Sequence, residues 1–339
     1  MRNVKQRNPN THERAMKLFK ILIFYLILVS CNDASRNKNA QIEESISSSS
    51  INETFLLVLG TIQDAGSPHI ACTKDCCRKL FIKQDRDRKV VSLGIIDPEN
   101  NKKYIFEATP DLTEQMKTLK KYASFNEKET PDGIFLTHAH IGHYTGLMYL
   151  GKEAMNAANI PVYAMPRMKA FLEENGPWSQ LVVNSNIAIQ EMSHKKEIQL
   201  TPNVRVIPFL VPHRDEYSET VGYTIIGPNK KVLFIPDIDK WDKWETDIIE
   251  AISKVDYAFI DGTFYDAEEI NNRDISEIPH PFIIESINAF KGLPAEEKGK
   301  IYFIHFNHTN PALNPKSDQA QKIINNGFNI ATIYDTIKL

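Results

Sequence analysis

The chain has 339 residues, of which 42% are hydrophobic and 24% charged, and its formal net charge at pH 7 is −3. This length suits one large globular domain or two small ones, and no repeat of solenoid period is apparent. Residues 1–30 hold six of the 40 basic and one of the 43 acidic residues, which leaves 34 against 42 and a net charge of −8. Residues 31–339 are therefore acidic and would be repelled by the phosphates of nucleic acid, so we expect no nucleic-acid partner.

Residues 1–31 have the pattern of an export signal. Two lysines precede an uncharged apolar run, residues 21–29, which is too short to span a bilayer. The sequence Leu28-Val29-Ser30-Cys31 resembles the lipobox of bacterial lipoproteins, in which the cysteine takes the lipid. We expect Met16 to be the true start, residues 1–15 to be an extension and Cys31 to be lipidated. The alternatives, an uncleaved membrane anchor or a chance cysteine after a signal, also imply export.

Residues 32–52 are polar, include serines at 47–50 and show no apolar periodicity. This composition is typical of a flexible tether. The folded domain is therefore expected to span residues 53–339. It would be anchored by lipid to a bacterial membrane and face the periplasm or the cell surface, and its oligomeric state is left open.

Strands and helices alternate along the first half of the expected domain. A cysteine-containing loop, residues 63–77, follows the first strand, and a Pro-Asp-Gly turn precedes a buried strand at 133–137. Strands are predicted at residues 55–61, 90–96, 104–106, 133–137 and 162–165. Helices are predicted at residues 112–122, 144–151 and 168–174.

The second half repeats the alternation in a more antiparallel style, with a hairpin turn at residues 227–229. Strands are predicted at residues 204–211, 221–226, 231–235, 257–261, 301–306 and 330–334. Helices are predicted at residues 246–254, 282–290 and 317–326, the last ended by Gly327. Strands interleaved with helices in both halves predict two central sheets covered outside by helices, which is a four-layer α/β sandwich.

Three histidines follow the predicted strand at 133–137, in the sequence Thr137-His138-Ala139-His140-Ile141-Gly142-His143. Imidazole is a common metal ligand near neutral pH, and so dense a cluster rarely serves packing alone. His138 and His140 share one side of an extended chain, and His143 lies after a bend. All three are therefore predicted metal ligands; the alternative is a solvated histidine-rich turn.

Further ligands are expected in the same position, just past a buried strand. His213 follows residues 206–212, Asp237 follows residues 232–236 and His305 follows residues 300–304. A polar residue at one strand end is weak evidence because such residues are common there. The repetition of the pattern at three strands favours a shared metal site.

This order of ligands resembles the metallo-β-lactamase superfamily and its signature His-x-His-x-Asp-His. The resemblance implies that His138, His140 and His213 hold one metal, while His143, His305 and a bridging Asp237 hold a second. The aspartate of the signature is replaced by Gly142. The second site is therefore expected to be one carboxylate short, with only the bridging Asp237, and Gly142→Asp is expected to raise its metal content.

The flanking sequences indicate one branch of the superfamily. Residues 59–66 (LGTIQDAG), 108–112 (ATPDL) and 303–311 (FIHFNHTNP) look like segments of the PQQ biosynthesis protein B family. Members of that branch are expected in the cytoplasm, whereas this chain has an export signal. The resemblance therefore does not by itself imply that this chain makes the same cofactor.

Cys72, Cys76 and Cys77 lie within six residues, where two adjacent cysteines are badly placed for an ordinary mutual disulfide. With one histidine they are expected to form a structural zinc site, for which His69, His280 and His308 are candidates. The alternatives are free thiols or a strained disulfide from Cys72 to one of its neighbours.

These residues favour a membrane-tethered hydrolase in which a metal ion activates water for attack on an ester, lactone, amide or phosphodiester of a small molecule. Zinc is expected as one or two ions, with iron or manganese as alternatives. Asp237 would orient the water or accept its proton. Asp261 and His308 are candidates for general acids or for groups that hold the metal ligands in place; the alternative for both is helix capping or loop hydrogen bonding. The alternative functions are a metal-dependent oxidoreductase related to PQQ biosynthesis protein B and a non-catalytic small-molecule-binding protein.

Overall fold

Two seven-stranded sheets form the centre of the fold in the computed structural model, which describes residues 53–271 and 273–339. The predicted signal, Cys31 and the tether lie outside the described residues. One sheet has the strand order β14-β1-β2-β3-β4-β5-β6, and the other has the order β13-β12-β11-β10-β9-β8-β7. The strands are β1 Phe55–Gly60, β2 Ser92–Asp97, β3 Lys102–Phe106, β4 Gly133–Phe135, β5 Ile160–Ala164, β6 Ile187–Glu191, β7 Ile198–Gln199, β8 Arg205–Leu210, β9 Val221–Ile226, β10 Lys231–Ile235, β11 Tyr257–Asp261, β12 Ile301–Ile304, β13 Asn329–Ile330 and β14 Thr336–Lys338.

The α-helices are short and connect or flank these strands. They are α1 Asp75–Ile82, α2 Leu112–Tyr122, α3 Ile141–Tyr144, α4 Pro166–Glu174, α5 Trp178–Val183, α6 Ile248–Ser253, α7 Ile283–Ala289, α8 Ala295–Lys298 and α9 Asp318–Asn325. Single turns of 3₁₀ helix occur between them, for example at Thr145–Leu150 directly after α3. Among the described residues, no helix has the length and apolar character needed to cross a membrane.

The two sheets have the same internal pattern of pairing. In the first, β14, β1, β2 and β3 pair antiparallel, and β3 to β6 pair parallel. In the second, β7 to β10 pair antiparallel, and β10 to β13 pair parallel. Strands β1 to β6 and the C-terminal β14 therefore form one mixed sheet and β7 to β13 the other, and the parallel strands carry the helices that cover the outer faces.

One hydrophobic core lies between the sheets and contains side chains from both, among them Leu56, Phe106 and Phe135 from the first sheet and Tyr223 and Phe234 from the second. Along β10 the side chains alternate, as a strand requires: Phe234 faces this core, while Leu233 and Ile235 belong to a second cluster. That second cluster packs the outer face of the second sheet against α6, α7 and α9. The result is the predicted four-layer sandwich.

Most predicted elements are present within a few residues, and α2, β9, β10 and β11 have the predicted bounds. Three differences concern the site. The expected helix at 144–151 begins earlier, so that His143 lies within α3. The cysteine segment was predicted as a loop, but Cys76 and Cys77 occupy the first turn of α1. The last predicted strand, 330–334, is not formed: β13 ends at Ile330, and β14 begins at Thr336 in the other sheet.

Candidate metal centre

The six predicted ligands converge where strands from both sheets end. His138 and His140 follow β4, while His213, Asp237 and His305 follow β8, β10 and β12. His305 has a φ of 67°, a left-handed conformation that costs a residue with a side chain about 1–3 kcal/mol. Such strain persists where the surroundings demand one side-chain position, as at a binding site.

The first half-site is formed by His138, His140, His213 and Asp237. His138 Nε2 lies 2.8 Å from His140 Nδ1 and 3.5 Å from Asp237 Oδ2. His213 Nε2 lies 3.3 Å from the other oxygen of the same carboxyl group, Asp237 Oδ1. Three imidazoles and one carboxylate therefore point at one small volume.

The second half-site is formed by Asp64, His143, His305 and the same Asp237. His143 Nε2 and His305 Nε2 lie 3.8 Å and 3.9 Å from Asp237 Oδ2. The same two nitrogens lie 2.9 Å and 3.2 Å from Asp64 Oδ1. Asp237 is thus shared by both half-sites, in the bridging position that the sequence analysis gave it.

The spacing of these atoms fits zinc. Ligands bonded at about 2.0–2.1 Å to a tetrahedral ion lie about 3.3 Å apart, and the distances above scatter around that value. Both ring nitrogens of His213 and Oδ1 of Asp237 are buried and have no hydrogen-bond partner among the described residues. Buried polar atoms without partners are costly, and a cation between them would satisfy them.

The ring nitrogens that face away from the shared volume are held by neighbouring groups. Thr263 Oγ1 donates to Asp261 and lies 2.7 Å from His305 Nδ1, so it can accept a hydrogen bond from Nδ1–H in the tautomer that leaves a lone pair on Nε2. The buried carboxylate of Glu107 lies 3.3 Å from His143 Nδ1 and favours a proton on that nitrogen. Metal-binding histidines are commonly oriented in this way.

The electrostatics of the site also fit a cation. Burial alone would raise the pKa of Asp237, but His213, His280 and His305 hold that pKa well below its usual range. Burial and the adjacent His143 keep the pKa of His138 well below normal, so its ring is neutral and able to bind metal. Against the effect of burial, Asp64 and Glu107 raise the pKa of His143 well above normal. The carboxylates thus favour a positive charge at this position.

His280 adds a group that the sequence analysis considered only for the cysteines. His280 Nδ1 lies 2.9 Å from Asp261 Oδ2 and 3.2 Å from Asp237 Oδ1. Burial opposes a charge here, yet Asp261 and Asp237 raise the pKa of His280 to about 9. Its Nε2 has no hydrogen-bond partner in the part of the chain that the structure describes. Asp261 and Asp237 therefore favour the protonated form of His280, which lies at the edge of the two half-sites.

A separate cysteine site is formed by Cys72, Cys76, Cys77 and His308. The sulfur atoms of Cys72 and Cys76 lie 3.7 Å apart, and those of Cys76 and Cys77 lie 3.9 Å apart. Thiolates bonded at about 2.3 Å to a tetrahedral zinc lie about 3.8 Å apart, so the spacing fits zinc. It is far too long for a disulfide.

The fourth position of the cysteine site is taken by His308, one of the three candidates. Burial, together with His69 and Lys74, lowers the pKa of His308 to about 4, which keeps the ring neutral. His69 stacks on His308 with ring centroids 4.5 Å apart, and its backbone N–H donates to Cys77 Sγ. His280 belongs to the other site.

Three expectations need correction. The second half-site is not one carboxylate short, because Asp64 lies within it in addition to Asp237. His308 is grouped with the cysteines and not with Asp237, so it is not placed to act as a general acid. Asp261 is fully buried, and its oxygens accept from Thr263 and Ile238 or contact His280, so it can act only through those neighbours.

Sequence reasoning missed Asp64 and His280 as members of the site. Asp64 lies in the segment that carried the resemblance to PQQ biosynthesis protein B, four residues after the end of β1. The rule that found His213 and Asp237, a donor shortly after a buried strand, also describes Asp64. His280 follows two 3₁₀ turns and no strand, so that rule could not reveal it.

A profile of the beta-lactamase superfamily domain matches residues 102–306, which contain all six predicted ligands. The chain belongs to this superfamily. The match covers more than half of the chain and confirms the predicted fold and the prediction of an enzyme of metallo-β-lactamase type. Asp64 and the cysteines lie outside the matched residues.

Relatives of this superfamily member agree with the predicted branch. Coenzyme PQQ synthesis protein B of Klebsiella pneumoniae is 24% identical over 304 residues, which cover 82% of this chain and 96% of the relative. The crystal structure of Zn²⁺-bound PqqB from Methylobacterium extorquens has a TM-score of 0.68 at 20% identity and covers 84% of this chain and 100% of that one. A diphosphatase of the PhnP family has a TM-score of 0.58, also at 20% identity, over 85% of this chain and 97% of its own. At such identities the structures show a shared fold.

Proposed function

We propose that the protein is a zinc-dependent hydrolase that cleaves an ester, lactone, amide or phosphodiester bond in a small molecule. The observation that carries this proposal is the carboxylate of Asp237, which contacts two groups of buried imidazoles on its two sides. A bridging carboxylate between two such half-sites suits a pair of metal ions a few ångströms apart. Pairs of this kind are used for hydrolysis.

His138, His140 and His213 would hold one ion and His143, His305 and Asp64 the other, with Asp237 between them. Zinc bound in this way lowers the pKa of water to near neutrality and polarises the bond that is attacked. The protein supplies the geometry: Thr263 and Glu107 lie beside Nδ1 of His305 and His143 and favour a proton there, so that the Nε2 atoms would bind the metal.

Hydrolysis also requires a proton for the leaving group, and His280 is placed to give it. Asp261 accepts from His280 Nδ1 and leaves Nε2 as the free donor. Asp261 is in turn held by the backbone N–H groups of Ile238 and Thr263. We therefore assign proton donation to His280 and the positioning of His280 to Asp261.

A redox function is the second candidate, because the curated relatives are named for the synthesis of coenzyme PQQ. Non-haem iron sites use two histidines and one carboxylate with open positions. The second half-site offers two histidines and Asp64, but it also shares the carboxylate of Asp237 with the histidines of the first half-site, which favours a pair of ions. Hydrolysis is therefore the preferred proposal.

Metal analysis and activity measurements test this proposal together. The protein, purified without chelator, is expected to hold zinc at the histidine–aspartate site and to hydrolyse members of a panel of chromogenic esters, lactones and phosphodiesters. His140→Ala is expected to lose metal from this site and all hydrolysis. Iron in place of zinc, with oxygen consumption and no hydrolysis, would support the redox function instead.

We also propose that the enzyme is exported and anchored through a lipid on Cys31. The proposal rests on the sequence Leu28-Val29-Ser30-Cys31 and on the acidic composition after residue 30. Expression from Met16 in a bacterial host with labelled palmitate tests it. We expect label in the membrane fraction, and Cys31→Ser should abolish the labelling. Label that persists in that variant would contradict the anchor.

A further inference from the structure

We propose that Asp64 is the carboxylate ligand of the second metal and that it replaces, from another segment of the chain, the aspartate that the superfamily signature places at position 142. The inference rests on the proposed metal-dependent function. It also implies that a side chain at position 142 and the carboxylate of Asp64 exclude each other.

The contacts of Asp64 are those of a ligand. Its Oδ1 lies 2.9 Å from His143 Nε2 and 3.2 Å from His305 Nε2, and these are the nitrogens that also face Asp237. Asp64 thus contacts the same two nitrogens as the shared carboxylate. Among the described residues, Asp64 makes no hydrogen bond to the histidines of the first half-site.

Gly142 shows why the carboxylate comes from elsewhere. A Cβ atom built on Gly142 would lie 2.4 Å from Asp64 Cα, 2.9 Å from its Cβ and 3.0 Å from its Cγ. Contacts this short do not occur between carbon atoms in proteins, and the nearest atom belongs to the main chain, which cannot rotate away. The volume that a side chain at position 142 would use is therefore already filled by Asp64.

Backbone hydrogen bonds hold Asp64 in this volume. Gln63 N donates to Phe306 O at 2.9 Å, and Phe306 N donates to Thr61 O at 2.8 Å. The residue before Asp64 is thereby bonded to the residue after His305. The same segment is also bonded to the residues before β2, because Ile62 N donates to Lys89 O at 2.9 Å. The main chain sets the position of the carboxylate, as a rigid metal site requires.

A purely structural role is the competing explanation, in which Asp64 only accepts hydrogen bonds from His143 and His305. The two explanations differ in what removal of the charge does. A ligand that loses its charge binds zinc more weakly, whereas a structural acceptor that becomes an amide changes the stability of the metal-free protein and leaves the affinity for zinc unchanged.

The first experiment measures zinc per chain in the full-length protein after dialysis, together with zinc affinity by competition with a chelator. Asp64→Ala and Asp64→Asn are expected to lose about one zinc per chain, with an affinity for that ion at least 10–100-fold lower. Asp85→Ala removes an exposed carboxylate from the same connection and serves as the matched control. Retention of the cysteine-site zinc and the circular dichroism spectrum report on folding.

The second experiment tests exclusion directly with Gly142→Ala, which adds one methyl group and removes no ligand. It is expected to displace Asp64 and to lose the same ion as Asp64→Ala. Gly142→Asp should lose that ion as well, in contrast to the gain expected from the sequence alone. Unchanged zinc content and affinity in Gly142→Ala would overturn the exclusion.

The outcomes separate this inference from the proposed function. If the unmodified protein holds its metals and hydrolyses substrate while Asp64→Asn retains both ions at full affinity, Asp64 is a structural acceptor and only this inference fails. If the unmodified protein takes up no metal at His138, His143 and their partners, both proposals fail.

Discussion

The histidine–aspartate site and the cysteine site draw on the same two stretches of chain but differ in chemistry. Asp64 and Cys72 to Cys77 lie on one connection, between β1 and β2, and His305 and His308 are three residues apart after β12. The first site is buried and combines imidazoles with a shared carboxylate. The second is closer to the surface and offers four candidate ligands, three of them sulfur. Open imidazole–carboxylate sites suit catalysis, and closed thiolate sites suit structure.

The difference also indicates that the two sites have different roles, one in catalysis and one in stability. A zinc ion at the cysteine site would tie α1 and the preceding turn to the segment after β12, on which both His308 and His305 lie. Asp64 is eight residues from Cys72 along the same connection. The cysteine site is therefore expected to stabilise the segment that completes the second half-site, without a part in the reaction.

Loss of the shared carboxylate should have the largest effect. Asp237→Ala removes a ligand of both half-sites, and we expect it to lose both ions there and to lower kcat/KM by roughly 10³-fold or more. Zinc at the cysteine site should remain, as measured by metal analysis after dialysis. Asp242→Ala, which alters an exposed acid nearby, is the control. Loss of all zinc would show that the two sites are not separate.

Replacement of the proton donor should affect the reaction and not the metal. His280→Gln is expected to lower kcat by about 10²–10⁴-fold because general acid catalysis contributes that much, while zinc content stays unchanged. Asp261→Asn should lower kcat less, by about 10–100-fold, because it acts through His280. A substrate with a leaving group that needs no proton should restore much of the rate in both variants. A parallel loss of zinc would identify His280 as a ligand instead.

Disruption of the cysteine site should lower stability first and activity second. Cys77→Ser removes a buried ligand, and we expect loss of about one zinc and a fall of several degrees in Tm. The affinity of the second half-site should fall because Asp64 is less firmly held, while the first half-site keeps its ion. A variant that loses the cysteine-site zinc with no change in either half-site would contradict the proposed support of Asp64.

The smallest effect is expected at His69, which stacks on His308 without binding metal. His69→Ala should lower the free energy of unfolding by about 0.5–1.5 kcal/mol, the usual contribution of a stacked ring pair. Zinc at the cysteine site should remain. Denaturant titration measures the change in stability, and metal analysis measures the zinc content. Loss of that zinc would show that His69, and not His308, is the fourth ligand.

Much of the fold and part of the site could be predicted from the sequence because their signals are local. His138, His140 and His143 lie within six consecutive residues, and His213, Asp237 and His305 each follow an apolar strand. The partners of Asp64 are 79 and 241 residues away in sequence, and no local pattern records such contacts. The apparent gap at Gly142 could be explained only once the neighbours of that glycine were known.

Other differences also have physical causes. Helix α1 was missed because it is short and largely exposed, and Cys77 is its one buried residue, so no apolar stripe marks it. His280 follows a segment of 3₁₀ turns, where neither strand nor helix periodicity applies. The sequence also could not show which of three histidines lies beside the cysteines, because that depends on tertiary contacts alone.

The strand that leads to Asp64 has a consequence for the order in which the enzyme matures. β1 pairs on one side with β14, so that Phe55 lies opposite Lys338, and the first strand of the domain is completed by its last. The donors of the first half-site all lie before β11, whereas the strand that leads to Asp64 also pairs with β14. Capture of the second ion is therefore expected to come later in folding than capture of the first.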